Sequence, residues 1–375
     1  MVEKLLKSLV EINTTNSLHN EFKINQFLSK KLKKYASKIE FIGDKKQNIL
    51  IFFGNLQSKK ILMFNGHLDV VFADKKEWAT PPFKYVTNTD YAYGRGVADM
   101  KGGIAIALTS IIKAVEDNLL NDRLIIFAGT ADEESGANSE FGAQLVAKYL
   151  KDKNIVPYGC IIPEPQPINE IMRINIGHRG LLWIKVYSKG TSLHSGLINV
   201  EDNAINKIIS FISDLRSYIT NQPQKNNGIP ESSARVTNIY GGQDVFNKVP
   251  NYCCCNIDIR VSPNDNLEKI INILTKLSKK YDVEFDIIKQ TPSSQIDKDS
   301  KIVKDIVGEL TKLNKEYKIS FSSPTCDAHH FVNIGIPTIN GLGASGDKVH
   351  ANNEFINRQS LSERIELFYN LIKNF

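Results

Sequence analysis

Apolar residues fall along this chain in two rhythms, and the change from one to the other divides it. Up to about residue 178, short apolar runs alternate with amphipathic stretches. "MVEKLLKSLVEI" sets Leu5, Leu6, Leu9 and Val10 along one side, the spacing of a helix face. A second helix is expected near 20–36, strands at 38–43 and 47–53, and then the strand "KILMFNG" (60–66). After a long loop come a helix at 101–117, a strand at 123–130, a helix near 139–151 and the strand "GCIIP" (159–163). Continuous apolar strands separated by helices predict an α/β fold, a mostly parallel sheet with helices on both faces.

Near Gly180 the rhythm changes. "LLWIKVYSKG" (181–190) alternates like a half-exposed strand, and a helix at 202–220, strands at 234–239 and 252–262, a helix at 266–280 and a strand at 282–288 follow. Two helices among four strands predict a small α+β sandwich with an antiparallel sheet. A helix (298–314), a strand (336–340) and a last helix (360–373) then resume the first pattern. The expected domains are therefore 1–178 and 291–375 as two parts of one α/β domain, with 179–290 inserted between them.

Composition narrows the function. At 375 residues the chain is long for one core and comfortable for two. Its 42% apolar and 23% charged residues are those of an ordinary soluble protein. The net charge of +6 is spread along the chain without a basic tail, which argues against a nucleic-acid partner. No run approaches the roughly 18 apolar residues of a membrane span, and no secretory leader is evident. The five cysteines include three in succession, Cys253, Cys254 and Cys255, which fits neither a disulfide framework nor a spaced zinc clip. Reduced thiols in a cytoplasmic protein are the expectation.

The candidate chemistry lies where predicted strands end. Past 60–66 stand His67 and Asp69; past 123–130 stand Asp132, Glu133 and Glu134; past 159–163 stands Glu164. Asp99 lies in the glycine-rich "YGRGVADMKGG", and His350 in "DKVHANNEF". Ligands of open α/β sheets collect at the carboxyl ends of strands, and imidazole with carboxylate suits zinc and its neighbours. Taken singly, a strand-end histidine is an ordinary core or surface group, and an aspartate opening a helix serves equally well as its cap. Several strand ends bringing such groups to one rim argue for a metal site. Asp69, two residues beyond His67 in an extended segment, projects to the same side and is placed to accept a hydrogen bond from the ring nitrogen turned away from a metal.

In order and spacing, "GHLDVV", "YGRGVADMKGG", "ADEE", "PEP" and "VHANNEF" resemble the co-catalytic zinc aminoacylase and carboxypeptidase family. That family includes succinyl-diaminopimelate desuccinylase, acetylornithine deacetylase and glutamate carboxypeptidases. The resemblance covers essentially the whole chain. It implies a catalytic α/β domain with an inserted lid and dimerisation domain, a homodimer, and two divalent ions per chain, Zn²⁺ or else Co²⁺. His67, Asp99 and Glu164 would hold one ion and Asp99, Glu134 and His350 the other; Asp69 would orient His67, and Glu133 would be the general base. The Asp99–Met100 peptide would be cis. His194 in "KGTSLHSG" would donate to the oxyanion across the dimer. Asn247 in "FNKVPN", Arg260 in "IDIR", Thr325 before "CDAHHF" and, more weakly, Arg179 in "GHRG" would line the substrate site.

The implied reaction is hydrolysis of an N-acyl amino acid amide, with N-succinyl-LL-2,6-diaminopimelate as the first candidate substrate. The pattern departs from the desuccinylases at His178, where a second arginine is usual, at Leu181, where a small polar residue is usual, and at Pro324, where glycine is usual. N-acetylornithine deacetylation and small carboxypeptidase or dipeptidase activity stay open. Two other classes compete: a catalytically inactive binding homologue, and a cysteine hydrolase using Cys326 with His329 or His330. The first would ordinarily have lost a ligand or the base. The second sets its residues too close in one helix-like segment for a supported nucleophile–base pair.

Overall fold

The computed structural model describes residues 1–44, 48–135, 139–168, 170–197, 203–220 and 228–375. The expected starts of a strand at 47 and of a helix at 202 fall outside the described residues. The chain divides into two compact units, one of residues 1–177, 295–322 and 326–375, the other of 178–294 with 323–325.

The larger unit is built on a nine-stranded sheet. Seven of its strands run in the order Lys38–Ile42, Asn48–Gly54, Leu124–Thr130, Ile61–His67, Gly159–Ile162, Thr338–Asn340 and Met172–His178. Ile61–His67 pairs in parallel with Leu124–Thr130 and with Gly159–Ile162, which pairs in parallel with Thr338–Asn340. Asn48–Gly54 is antiparallel to both Lys38–Ile42 and Leu124–Thr130. The sheet is thus parallel at its centre and antiparallel at its flanks, more mixed than the sequence predicts. The connection from Ile42 to Asn48 explains the first flank, since a parallel return needs a crossover of a dozen or more residues.

Parallel pairing fixes where the site forms. Leu124–Thr130, Ile61–His67 and Gly159–Ile162 are buried throughout and leave the sheet at one edge, with His67 opposite Thr130. Asp69, the 132–134 acids and Glu164 follow those three strands at that edge. The helix Lys101–Glu116 packs nearby and is almost wholly buried. At its third residue, Gly103, a Cβ would lie 1.9 Å from the Pro163 carbonyl oxygen, so only glycine lets the helix approach the turn carrying Glu164. Among the elements with no counterpart in the sequence reading are the strands Met172–His178 and Tyr317–Ser322, the short helix Ala328–Val332, and the short strands Val86–Thr87, Tyr91–Tyr93, Gln166–Pro167, Ser345–Asp347 and Phe355–Asn357, which form a separate sheet.

The smaller unit is a four-stranded antiparallel sheet ordered Ser233–Gly241, Tyr252–Val261, Gly180–Lys189 and Val283–Thr291. The helices Ala204–Thr220 and Leu267–Tyr281 share a core with Leu182, Ile184, Val186, Ile257 and Ile259. Strand alternation sorts the cysteine triplet. Cys253 and Cys255 belong to that core, while Cys254 points to the opposite face. All five cysteines are free and buried. Among the described residues, no helix is long and apolar enough to cross a membrane.

Candidate metal centre and active site

His67 is the last residue of its strand, and its ring is buried. Nε2 lies 2.9 Å from Asp99 Oδ1. His350 brings its own Nε2 to 2.8 Å from Glu134 Oε2 and 3.3 Å from Asp99 Oδ2. His67, Asp99 and Glu134 offer ligand atoms that all lie within 4.8 Å of one another. Residues from distant parts of the chain therefore meet at one point, with Asp99 facing both imidazoles. The Asp99–Met100 peptide is cis.

Asp69 differs from the sequence expectation. His67 Nδ1 is 3.0 Å from the Asp69 main-chain oxygen, whereas the Asp69 carboxylate is 3.7 Å away. That carboxylate is engaged elsewhere: Oδ1 accepts from the Glu133 backbone N–H at 3.1 Å and Oδ2 from the Glu134 N–H at 3.0 Å. Asp69 thus orients His67 through its carbonyl and holds the two-glutamate turn through its side chain. Asp132, at φ +62° and accepting from Ser135 Oγ at 2.6 Å, shapes the same turn.

The charges explain what such a cluster accommodates. Burial raises the pKa of Glu133, Glu134 and Glu164, and neighbouring acids add to it: Asp327, Glu134 and Glu164 for Glu133, and Asp99 above all for the other two. Hydrogen bonds to Asp99 and Glu134 push His350 up to about 10. Burial alone would depress His67, but Asp69, Asp99 and Glu133 outweigh it and raise it well above the usual value. Asp99 goes the other way: His350 and His67 overcome its burial and hold it far below the ordinary carboxylate range. Acids crowded out of water cannot all ionise unless positive charge enters. Two imidazoles, His67 and His350, and two carboxylates, Asp99 and Glu134, converge there, with Glu164 close enough to feel the charge of Asp99 and His67, and form a donor set that fits divalent cations.

Buried ionisable groups that the sequence reading did not single out surround the cluster. Glu354, 1% exposed, accepts from the backbone N–H of Gly96, Ala98 and Asp99 and from Arg95 Nη1. Lys101 is fully buried, donates to the Ile12 carbonyl at 2.9 Å, and is pushed down to about 7 by burial. Asp327, buried beside Thr130 Oγ1 at 3.3 Å, is pushed up to about 7 by burial. Arg95 and Glu354 lie inside the quoted motifs, where an ionisable residue next to a candidate ligand is the available signal.

The remaining candidates belong to the smaller unit. Arg260 Nε and Nη2 donate to the two oxygens of Asp258 at 2.9 and 3.1 Å, so part of its fork is occupied. Arg179 donates to the Glu231 carbonyl and Ser233 Oγ, and Thr325 Oγ1 donates to the Arg179 carbonyl at 2.9 Å. His194 forms a bridge with Lys248, and Ser195 N–H donates to the Asn247 carbonyl, which sets His194 and Asn247 side by side. Gly196 N–H donates to His194 Nδ1 at 3.1 Å, leaving Nε2 as the proton carrier of the neutral ring. Cys326 is buried, accepts from Asn340 Nδ2 at 3.0 Å and has its thiol pushed well up by burial. An inert thiol of this kind is a poor nucleophile.

A family model described as Peptidase family M20/M25/M40 matches residues 63–374. The chain belongs to that family. Among its curated relatives, succinyl-diaminopimelate desuccinylase of Vesicomyosocius okutanii subsp. Calyptogena okutanii is 28% identical over 322 residues, 85% of each chain. In fold it is similar to the M20 family metallo-carboxypeptidase Sso-CP2 of Sulfolobus solfataricus, with a TM-score of 0.80 at 18% identity over 99% of this chain and 98% of that one. It is also similar to the YXEP protein of Bacillus subtilis, a dinuclear metal binding peptidase, with a TM-score of 0.72 at 13% identity over 99% and 96%. This M20-family member therefore carries a His, Asp and Glu cluster capable of chelating divalent cations.

Proposed function

We propose that this M20-family chain hydrolyses the amide bond of N-acyl amino acids using two divalent cations, zinc by preference and cobalt as a working substitute. The convergence of His67, Asp99, Glu134 and His350 carries this reading. His67, Asp99 and Glu164 would hold one cation and Asp99, Glu134 and His350 the other. When bound, the pair would supply Lewis acidity and a nucleophile at neutral pH. Glu133 is the proton carrier in this scheme. Burial and neighbouring acids raise its pKa well above the usual carboxylate range, which suits a group that must carry a proton. It takes a proton from the attacking water and delivers it to the leaving amine. His194, through Nε2, would donate to the developing oxyanion. Arg260, Arg179, Asn247 and Thr325 would recognise the substrate, and the inserted unit would form a homodimer.

N-Succinyl-LL-2,6-diaminopimelate is the first substrate to test, favoured by the desuccinylase relatives. N-Acetylornithine and small peptides follow, the latter favoured by the carboxypeptidase likeness. The test is a panel of all three with zinc or cobalt, comparing the wild-type chain with Glu133→Ala. Hydrolysis by wild type alone is expected. Stoichiometric metal uptake with no turnover of any panel member would refute the enzyme reading in favour of a binding homologue.

A further inference from the structure

Asp99 and His350 meet side chain to side chain, yet 251 positions of sequence separate them. Two loops bring them together, and each loop sends a buried charge into the backbone of the other. Glu354, four residues beyond His350, accepts from Gly96 N–H at 3.0 Å, Ala98 N–H at 2.8 Å and the Asp99 N–H itself at 3.1 Å. Arg95, four residues before Asp99, donates through Nη2 to the Ala351 carbonyl at 3.1 Å and, at 3.4 Å, to that of His350. The two side chains join at 2.7 Å between Arg95 Nη1 and Glu354 Oε2. Both are almost fully buried, and the Arg95 guanidinium also lies over the Trp78 ring at 5.1 Å.

A buried ion pair is a poor way to add stability alone, since desolvation offsets much of the attraction. This pair satisfies that cost with hydrogen bonds to the residues that flank two candidate ligands, and to the ligands' own main chains. Resting on the metal reading above, we infer that Arg95 and Glu354 are a positioning pair. They set the separation of Asp99 and His350, and through it the affinity for the cation those two residues share.

The test uses the whole chain and cobalt as the probe. Glu354→Asp keeps the charge beside Arg95 but withdraws the carboxylate by one methylene from the three N–H groups. Arg95→Lys keeps the charge but loses the fork; either variant alone is decisive should the other not fold. Cobalt binding is followed by its visible absorption, and melting temperature is read in chelator and in saturating cobalt. Weakening of cobalt binding by about 10- to 100-fold, as when outer partners of metal ligands are replaced, with a smaller cobalt-induced rise in melting temperature, supports the inference. Equal loss of melting temperature with and without cobalt, at wild-type cobalt affinity, overturns it and makes the pair purely structural. A wild-type chain that takes up no cobalt overturns the metal reading itself, a result distinct from variants that bind as wild type does.

Discussion

Replacing Asp69 with Asn separates two roles that one aspartate performs through different atoms. His67 is oriented by the Asp69 main-chain oxygen at 3.0 Å, which the substitution leaves in place. The side chain holds the Glu133 and Glu134 N–H groups at 3.1 and 3.0 Å. Asparagine keeps one accepting oxygen and turns an NH₂ group toward the other N–H, so one charge-assisted bond is lost. Such bonds contribute roughly 1.5–3 kcal/mol, and a loss of about 2–3 kcal/mol corresponds to roughly 30- to 160-fold in an equilibrium constant. Because the loss falls on the turn bearing Glu134, the cation held with His350 should weaken by about that factor, while the one held with His67 changes little. Calorimetric titration of the two sites with zinc or cobalt measures both constants. Selective weakening of the His67 site would refute the reasoning, because it would mean that the carboxylate's effect on the imidazole outweighs its hold on the turn.

Four further outcomes are expected. Glu133→Ala should keep its metal and lose about 10²–10⁴-fold in turnover, the usual worth of a general acid–base group, whereas Glu134→Ala should lose metal; the reverse pattern in metal analysis and kinetics would exchange their roles. In chelator, the melting temperature should fall as pH rises from about 6 to 10. His350, raised to about 10, contributes stability that is complete below its unfolded value near 6.5 and lost through 10, and the raised His67, Glu133, Glu134 and Glu164 add losses of the same sign. Lys101, pushed down to about 7, opposes them by recovering stability as pH rises toward its unfolded value near 10.5, so the cluster's share is the difference between the chelator and metal-bound profiles, and equal slopes in the two count against this. Gly103→Ala should displace the Pro163–Glu164 turn, lowering metal affinity in the same titration, because its Cβ has no room beside Pro163. Glu133→Ala and His194→Ala chains, each inactive, should regain activity when subunits exchange, since a mixed dimer holds one cleft with Glu133 and a partner's His194; proven exchange without recovery would exclude action in trans.

The sheet centre and the metal-capable residues were legible because both leave strong local signals. Ile61–His67, Leu124–Thr130 and Gly159–Ile162 are buried on both faces and so read as unbroken apolar runs. The strand Met172–His178 carries the same alternating signal as the strand after it and escaped because only Arg179 separates the two, with no turn signal of its own between them. Long-range pairing set the rest. Arg95 and Glu354 look in sequence like solvated loop charges, and only the meeting of two distant loops buries them. The Asp69 carboxylate fitted a local partner two residues away, yet its partners come from 64 and 65 positions downstream. Spacing gives which groups share a side; it does not give which of several nearby donors wins.

The smaller unit lacks the second arginine usual beside Arg179 but gathers positive charge nearby. Burial pushes His178 down to about 4, so the position where desuccinylases usually have a second arginine is neutral here at working pH. Arg235 stands opposite Asp258 in the strand pairing, on the same face as Arg260. Burial lowers the pKa of Arg179, and Arg260 and then Arg235 depress it further, with Asp258 opposing them. Three guanidinium groups therefore act on one neighbourhood against a single carboxylate that already occupies two donors of Arg260. A second cation is supplied from the neighbouring strand, not from the residue beside Arg179. On the proposed function, these guanidinium groups would be the means by which the unit recognises an anionic substrate group. Should this face bind the acyl group, as proposed above, discrimination between a succinyl and an acetyl group, which differ by a carboxymethyl group, would rest on Arg235 together with Asp258, in addition to Arg260.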